Sequence, residues 1–148
     1  MEKMLIAIVI SAVVVTACLY LHFTVLRHAS GILSAMESSV RRPMIMVMAM
    51  IFLTHLAEIV LFAIALWIMT ETGLGNLVGA HTSSAADFFY YSIGTYTTLG
   101  IGDIMPVGPV RILTGIEALT GLLLIAWSAS FTYLAMERLW HPKWNGRE

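Results

Sequence analysis

Three uninterrupted apolar runs, at residues 4–26, 44–69 and 112–136, decide most of what this chain can become. Each exceeds the roughly 20 residues that a helix needs to cross the hydrocarbon of a bilayer. Only 11% of the residues are charged and 59% are hydrophobic, against about 25% charged in an ordinary soluble domain. The bilayer is therefore the main solvent, and little sequence remains for a separate soluble domain. A net charge of -1 gives no electrostatic footing for nucleic acid. The single cysteine, Cys18, lies inside the first run, which rules out an intrachain disulfide and a cysteine metal cluster.

The basic residues sort by side. Arg27, Arg41, Arg42, Arg138, Lys143 and Arg147 fall on one face, and Lys3 and Arg111 on the other. The richer face is expected in the cytoplasm, with the amino terminus outside, the carboxyl tail inside and the segment 70–110 outside. Trp67, Trp140 and Trp144 then stand near span ends, where indole rings favour the interface. The first run is expected to break at Arg27 and His28 into a polar loop that closes with Arg41, Arg42 and Pro43, a proline placed where a helix start tolerates it. Val15, Thr16, Ala17 and Cys18 look like a bacterial lipoprotein cleavage box. The apolar run continues past the cysteine, however, and cleavage would invert the charge rule, so the first run is read as a retained span.

Between the second and third runs the sequence changes character. Ser84 stands three residues before Asp87, a capping-box arrangement, and the helix it starts, about 85–97, is too short to cross a bilayer. It reads as a re-entrant helix. The backbone after it must be buried in protein or line a watery cavity, because exposed loop backbone cannot rest in hydrocarbon.

That backbone carries Thr97, Thr98, Leu99, Gly100, Ile101, Gly102 and Asp103. A lone Gly-x-Gly would be read as a tight turn. Joined to two threonines, an aspartate, a short helix before and a span after, the stretch resembles the selectivity filter of the pore-loop potassium channel superfamily. The resemblance covers about 44–136 and implies an outer helix (44–69), a pore helix (85–97), a filter (98–103) and an inner helix (110–137). To these the chain adds an amino-terminal span and loop (1–43) and a short tail (138–148). It implies an ion-binding filter of Thr98, Leu99, Gly100, Ile101 and Gly102, with K+ held by the carbonyls of Thr98, Leu99, Gly100 and Ile101 and the Thr98 hydroxyl, and with Thr97, Asp103, Tyr90 and Tyr91 supporting it. The physical basis is independent of the family. A dehydrated cation needs a cage of oxygens, and glycines spaced by two let alternate residues turn left-handed so that successive carbonyls share an axis. One loop supplies one quarter of a cage, so a homotetramer in membrane lipid is expected.

Three departures mark this sequence. Ile101 replaces the usual filter aromatic, which leaves a non-selective cation pore as an alternative to a potassium-selective one. Gly94 stands where several relatives carry a glutamate that braces the filter aspartate. Tyr90 and Tyr91 stand where others carry tryptophans, and the thirteen residues from Tyr90 to Asp103 suggest a tyrosine brace. In the third run, Gly121 is a candidate hinge or close-packing point, and Leu122 and Ile125 are candidates for a gate.

Ionisable groups lie inside the spans as well. His55 and Glu58 share one helix face, and Glu117 lies in the third run. Burial at such depth is costly, so these groups are expected to face protein, with Glu117 bonded to pore-helix backbone, Glu58 or His55. A membrane metalloenzyme using His22, His55 and Glu58 is set aside because His22 is read as lying toward the opposite face. The resulting expectation is an all-α, three-span plasma-membrane protein that conducts passively, with no enzyme activity and no cofactor. Neither a cytoplasmic gating domain nor a voltage sensor is anticipated. A non-conducting modulatory subunit remains the alternative from another class.

Overall fold

The structure, a computed structural model, describes residues 1–35, 41–80 and 84–140. The elements run α1 (Glu2–Ala35), α2 (Arg41–Glu71), β1 (Asn76–Gly79), α3 (Ala85–Tyr96), β2 (Ile104–Val107) and α4 (Val110–Trp140). Helices α1, α2 and α4 are long and apolar enough to cross a membrane. The membrane protein is thus all-α in its framework. The expected tail positions Lys143, Trp144 and Arg147, and residues 36–40 of the expected loop, lie outside the described residues.

Two of the sequence boundaries shift. Helix α1 does not stop at Arg27 but runs to Ala35. The reason is packing: Leu26, Ala29 and Leu33 continue one helix face beyond the arginine and meet Val47 and Ile51 of α2 and Phe131 of α4. The segment after α2 contains a strand that the sequence did not announce. β1 pairs antiparallel with β2, Leu77 opposite Pro106 and Gly79 opposite Ile104. Leu77 and Ile104 are buried while Val78, Met105 and Val107 are exposed, the alternation of a two-stranded ribbon with one face on protein.

Small residues set how closely α1 packs. Ala7, Ser11, Cys18, His22 and Ala29 form its buried stripe, at intervals of three to four residues or their multiples. In lipid, such residues let helix backbones approach where apolar burial alone gives no drive. The remaining surface, including Leu5, Ile8, Val13 and Phe23, stays exposed and apolar, as a lipid-facing helix requires. Lys3 Nζ donates to the Gly73 carbonyl at 3.0 Å, which fixes the start of α1 at the end where α2 finishes.

Helix α3 descends between α2 and α4. Ser84 caps it: the Asp87 N–H donates to Ser84 Oγ at 3.2 Å and the Ser84 N–H to Asp87 Oδ2 at 3.0 Å. Phe88, Tyr91 and Tyr96 of α3 join Phe62, Leu66 and Met69 of α2 and Leu113 and Leu124 of α4 in the main core.

Candidate functional site

The chain reverses at the carboxyl end of α3, and the reversal is built from local backbone bonds. The Thr97 N–H donates to Ile93 O at 3.1 Å, Thr98 N–H to Thr95 O at 2.9 Å and Gly100 N–H to Gly94 O at 3.0 Å. From there φ is positive at Thr98 (60°), Gly100 (55°) and Gly102 (87°). Leu99 and Ile101 lie between them, so the backbone alternates hand at every residue. Among the described residues Thr98 is the one non-glycine with positive φ, a conformation costing on the order of 1 kcal/mol that persists only where the surroundings impose it. The alternating segment lies at the carboxyl end of α3, the negative pole of its dipole.

The loop leaves through the ribbon. The Ala80 N–H donates to the Asp103 carbonyl at 3.1 Å, and the Val110 N–H to Leu74 O at 3.1 Å, tying the exit of the loop and the start of α4 to the segment after α2. Tyr90 donates its hydroxyl to Asp103 Oδ2 at 2.9 Å, across the thirteen-residue separation noted in the sequence. Tyr91 turns the other way, donating to Thr114 Oγ1 of α4 at 3.2 Å. Where a relative's glutamate would stand, a side-chain carbon on Gly94 would meet nothing within 4 Å. A cleft of about 380 Å³ opens there, bordered by Tyr90, Gly94, Ile101, Asp103, Thr114 and Ala118.

Known proteins bear directly on this geometry. A family described as ion channel matches residues 50–138. The chain belongs to that ion channel family. A relative in the same comparison is the inward rectifier potassium channel Kirbac3.1 of Paramagnetospirillum magnetotacticum, 32% identical over 90 residues, which are 60% of this chain and 30% of that protein. The chain thus aligns with under a third of its relative's length. It is a member of the pore-loop potassium channel superfamily, and the matched residues take in most of α2, all of α3 and most of α4. All of α1 precedes the residues that the family matches.

Buried groups of α4 stand behind this loop. Gly121 of α4 is pressed on the end of α3: a carbon added to it would lie 2.0 Å from the Tyr96 carbonyl oxygen and 2.8 Å from its carbon. Close approach is what the glycine provides. Leu122 and Ile125, by contrast, are 57% and 39% exposed on the single chain. Glu117 is fully buried and accepts from Ser92 Oγ at 2.6 Å, and its Oε2 has no partner among the described residues. It reaches α3 through the Ser92 side chain and not through the backbone that the sequence suggested, and among the described residues it makes no hydrogen bond to Glu58 or His55.

Glu58 collects the other polar groups. His22 Nδ1 lies 3.0 Å from its Oε1 and His55 Nδ1 3.1 Å from its Oε2, and the Tyr96 hydroxyl donates to Oε2 as well, standing 2.9 Å from His55 Nδ1. Both imidazole Nε2 atoms stand 3.1 Å from Ser128 Oγ of α4. Sequence reasoning placed His22 toward the opposite face and so apart from this group. The extension of α1 to Ala35 corrects that, because it moves His22 away from the helix end. His22 is 1% exposed, and its ring lies 5.2 Å from His55 and 5.5 Å from Trp127, centroid to centroid. The available signal was the stripe Ala7, Ser11, Cys18, His22, Leu26 and Ala29, a face that runs past Arg27 without a break.

Proposed function

We propose that four copies of this chain form a potassium-selective channel in the plasma membrane, conducting passively through a pore on their common axis. The carrying observation is the alternating backbone from Thr98 to Gly102 at the carboxyl end of a short capped helix. In such a loop the carbonyls of Thr98, Leu99, Gly100 and Ile101, with the Thr98 hydroxyl, replace the hydration shell of K+. The relative's name, an inward rectifier potassium channel, supports this choice of ion. A single chain leaves Leu99 67% exposed and Ile101 56% exposed, together with the Leu122 and Ile125 face of α4. Fourfold assembly covers the filter flank and gives the α4 face a cavity to line. The filter end faces outward, with Lys3 and Arg111 on that side, and the amino terminus lies outside. Arg27, Arg41, Arg42 and Arg138 lie toward the cytoplasmic end. Cross-linking in mild detergent should yield species up to four chains, and a stable dimer with nothing larger would contradict the pore, because two loops cannot enclose an ion.

In this reading Tyr90 braces a filter whose own aromatic is replaced by Ile101. The hydrogen bond to the Asp103 carboxylate holds the Tyr90 phenol above its ordinary range. The folded value is the raised one, so the brace is complete below the usual phenol pKa of about 10 and is lost only as pH climbs through the higher folded value. Tyr90→Phe should shorten open times or lower potassium selectivity in single-channel records at neutral pH. Wild-type filter behaviour should stay flat between neutral pH and about 10. Unchanged selectivity and open time in the variant would remove Tyr90 from the filter's support.

A further inference from the structure

The ring around Glu58 has fewer protons than contacts. Four contacts join Glu58 to His22, His22 to Ser128, Ser128 to His55 and His55 back to Glu58. Each needs one proton between its atoms. A carboxylate brings none to the ring, the two neutral imidazoles bring one each and the serine hydroxyl brings one. With the contact of His55 and Glu58 left over, the Tyr96 hydroxyl has one proton for both Glu58 Oε2 and, at 2.9 Å, His55 Nδ1. One donor thus serves two acceptors in a core where an unmade hydrogen bond is expensive.

A metal ion resolves the count. If both imidazoles carry their proton on Nε2, both donate to Ser128 Oγ, which has two lone pairs to accept them. Both Nδ1 lone pairs then point toward the Glu58 carboxylate with an ion between them. No proton enters or leaves, since each imidazole only changes tautomer. The spacing suits such an ion. One ligand atom from each of His22, His55 and Glu58 lies within 4.8 Å of the others, and the nitrogen-to-oxygen separations are 3.0 and 3.1 Å. Tetrahedral Zn2+, with bonds of about 2.0–2.1 Å, sets its ligands roughly 3.3 Å apart. Ser128 is the outer partner that metal-bound histidines ordinarily have, fixing tautomer and ring orientation. Tyr96 is a further oxygen at the same carboxylate. We propose that His22, His55 and Glu58 form a buried site for a divalent first-row transition metal of the Zn2+ class, which staples α1 to the pore domain. Imidazole and carboxylate donors without thiolate match that class. The site lies apart from the ion path, and its role is to hold helices together, not to catalyse.

The test uses the full chain purified in detergent, stripped with a chelator and titrated with Co2+ and Zn2+. The wild type should take up one ion per chain, show the visible absorption bands of four-coordinate Co2+, and melt at a higher temperature with Zn2+ than without. His22→Gln and Glu58→Gln should lose at least about 100-fold in Zn2+ affinity, and Ser128→Ala about 10- to 100-fold. His28→Gln, at an exposed histidine of the same helix, should bind as the wild type does. Should either ligand variant fail to fold, the Co2+ spectrum and melting shift of the wild type still decide. A folded wild type with no Co2+ bands and no melting shift would overturn the site, as would His22→Gln binding Zn2+ like the wild type. A ring that responds to pH alone, with no metal taken up, would overturn it equally.

Discussion

Gly100→Ala is expected to reduce potassium flux at least about 100-fold while the assembled channel elutes unchanged. Gly100 sits at φ 55°, and within its own chain an added side-chain carbon meets nothing within 4 Å. The penalty is therefore conformational and not a clash. A non-glycine residue in this region costs roughly 1–2 kcal/mol, repeated at each of four loops. The loop escapes the cost by rotating φ to a negative value, which swings the neighbouring carbonyl off the axis and breaks the oxygen cage at that level. Global stability should change little, because the loop packs few buried side chains. Ion flux and size-exclusion elution, measured on the same preparation, separate the two effects. Wild-type flux through the alanine variant would mean that the ion path lies elsewhere.

Gly121→Ala should fail in the opposite way, through assembly. The added carbon would stand 2.0 Å from the Tyr96 carbonyl oxygen and 2.9 Å from the Tyr96 ring, and Tyr96 cannot withdraw easily because its hydroxyl is bonded to Glu58. Overpacking of a well-packed core costs about 1–3 kcal/mol. Here the obstacle is backbone, so the upper end applies in each chain. The variant should melt well below the wild type and lose its largest cross-linked species. A hinge role predicts something different: normal assembly and heat resistance, with only the open probability reduced. A Gly121→Ala channel that assembles normally but opens less would reassign the glycine from packing to gating.

Hydropathy made the three spans legible, since length and apolarity alone determine whether a helix can cross a bilayer. Ser84 and Asp87 disclosed the start of α3 because capping is a local interaction. The alternating backbone was foreshadowed at Gly100 and Gly102, because positive φ is a requirement written in residue type, while Thr98 adopts it without that signal. Contacts between helices were less visible. Arg27 looked like the end of a span, yet the apolar stripe at Leu26, Ala29 and Leu33 carried the helix on. That error displaced His22 from Glu58, and with it the whole ring of His22, Glu58, His55 and Ser128. The β1–β2 ribbon was hidden for a related reason. Four residues on each side carry too little alternation to stand out, and their pairing is imposed by the chain ends they join.

Conduction through the loop at Thr98–Gly102 is tested most directly by ion flux from liposomes holding the purified chain. A potassium gradient should drive flux that barium blocks, and a sodium gradient of equal size should drive far less. Equal permeability to the two ions would contradict the potassium-selective pore, showing that Ile101 cannot hold the filter at its potassium diameter. Intact tetramers that pass neither ion would contradict conduction itself.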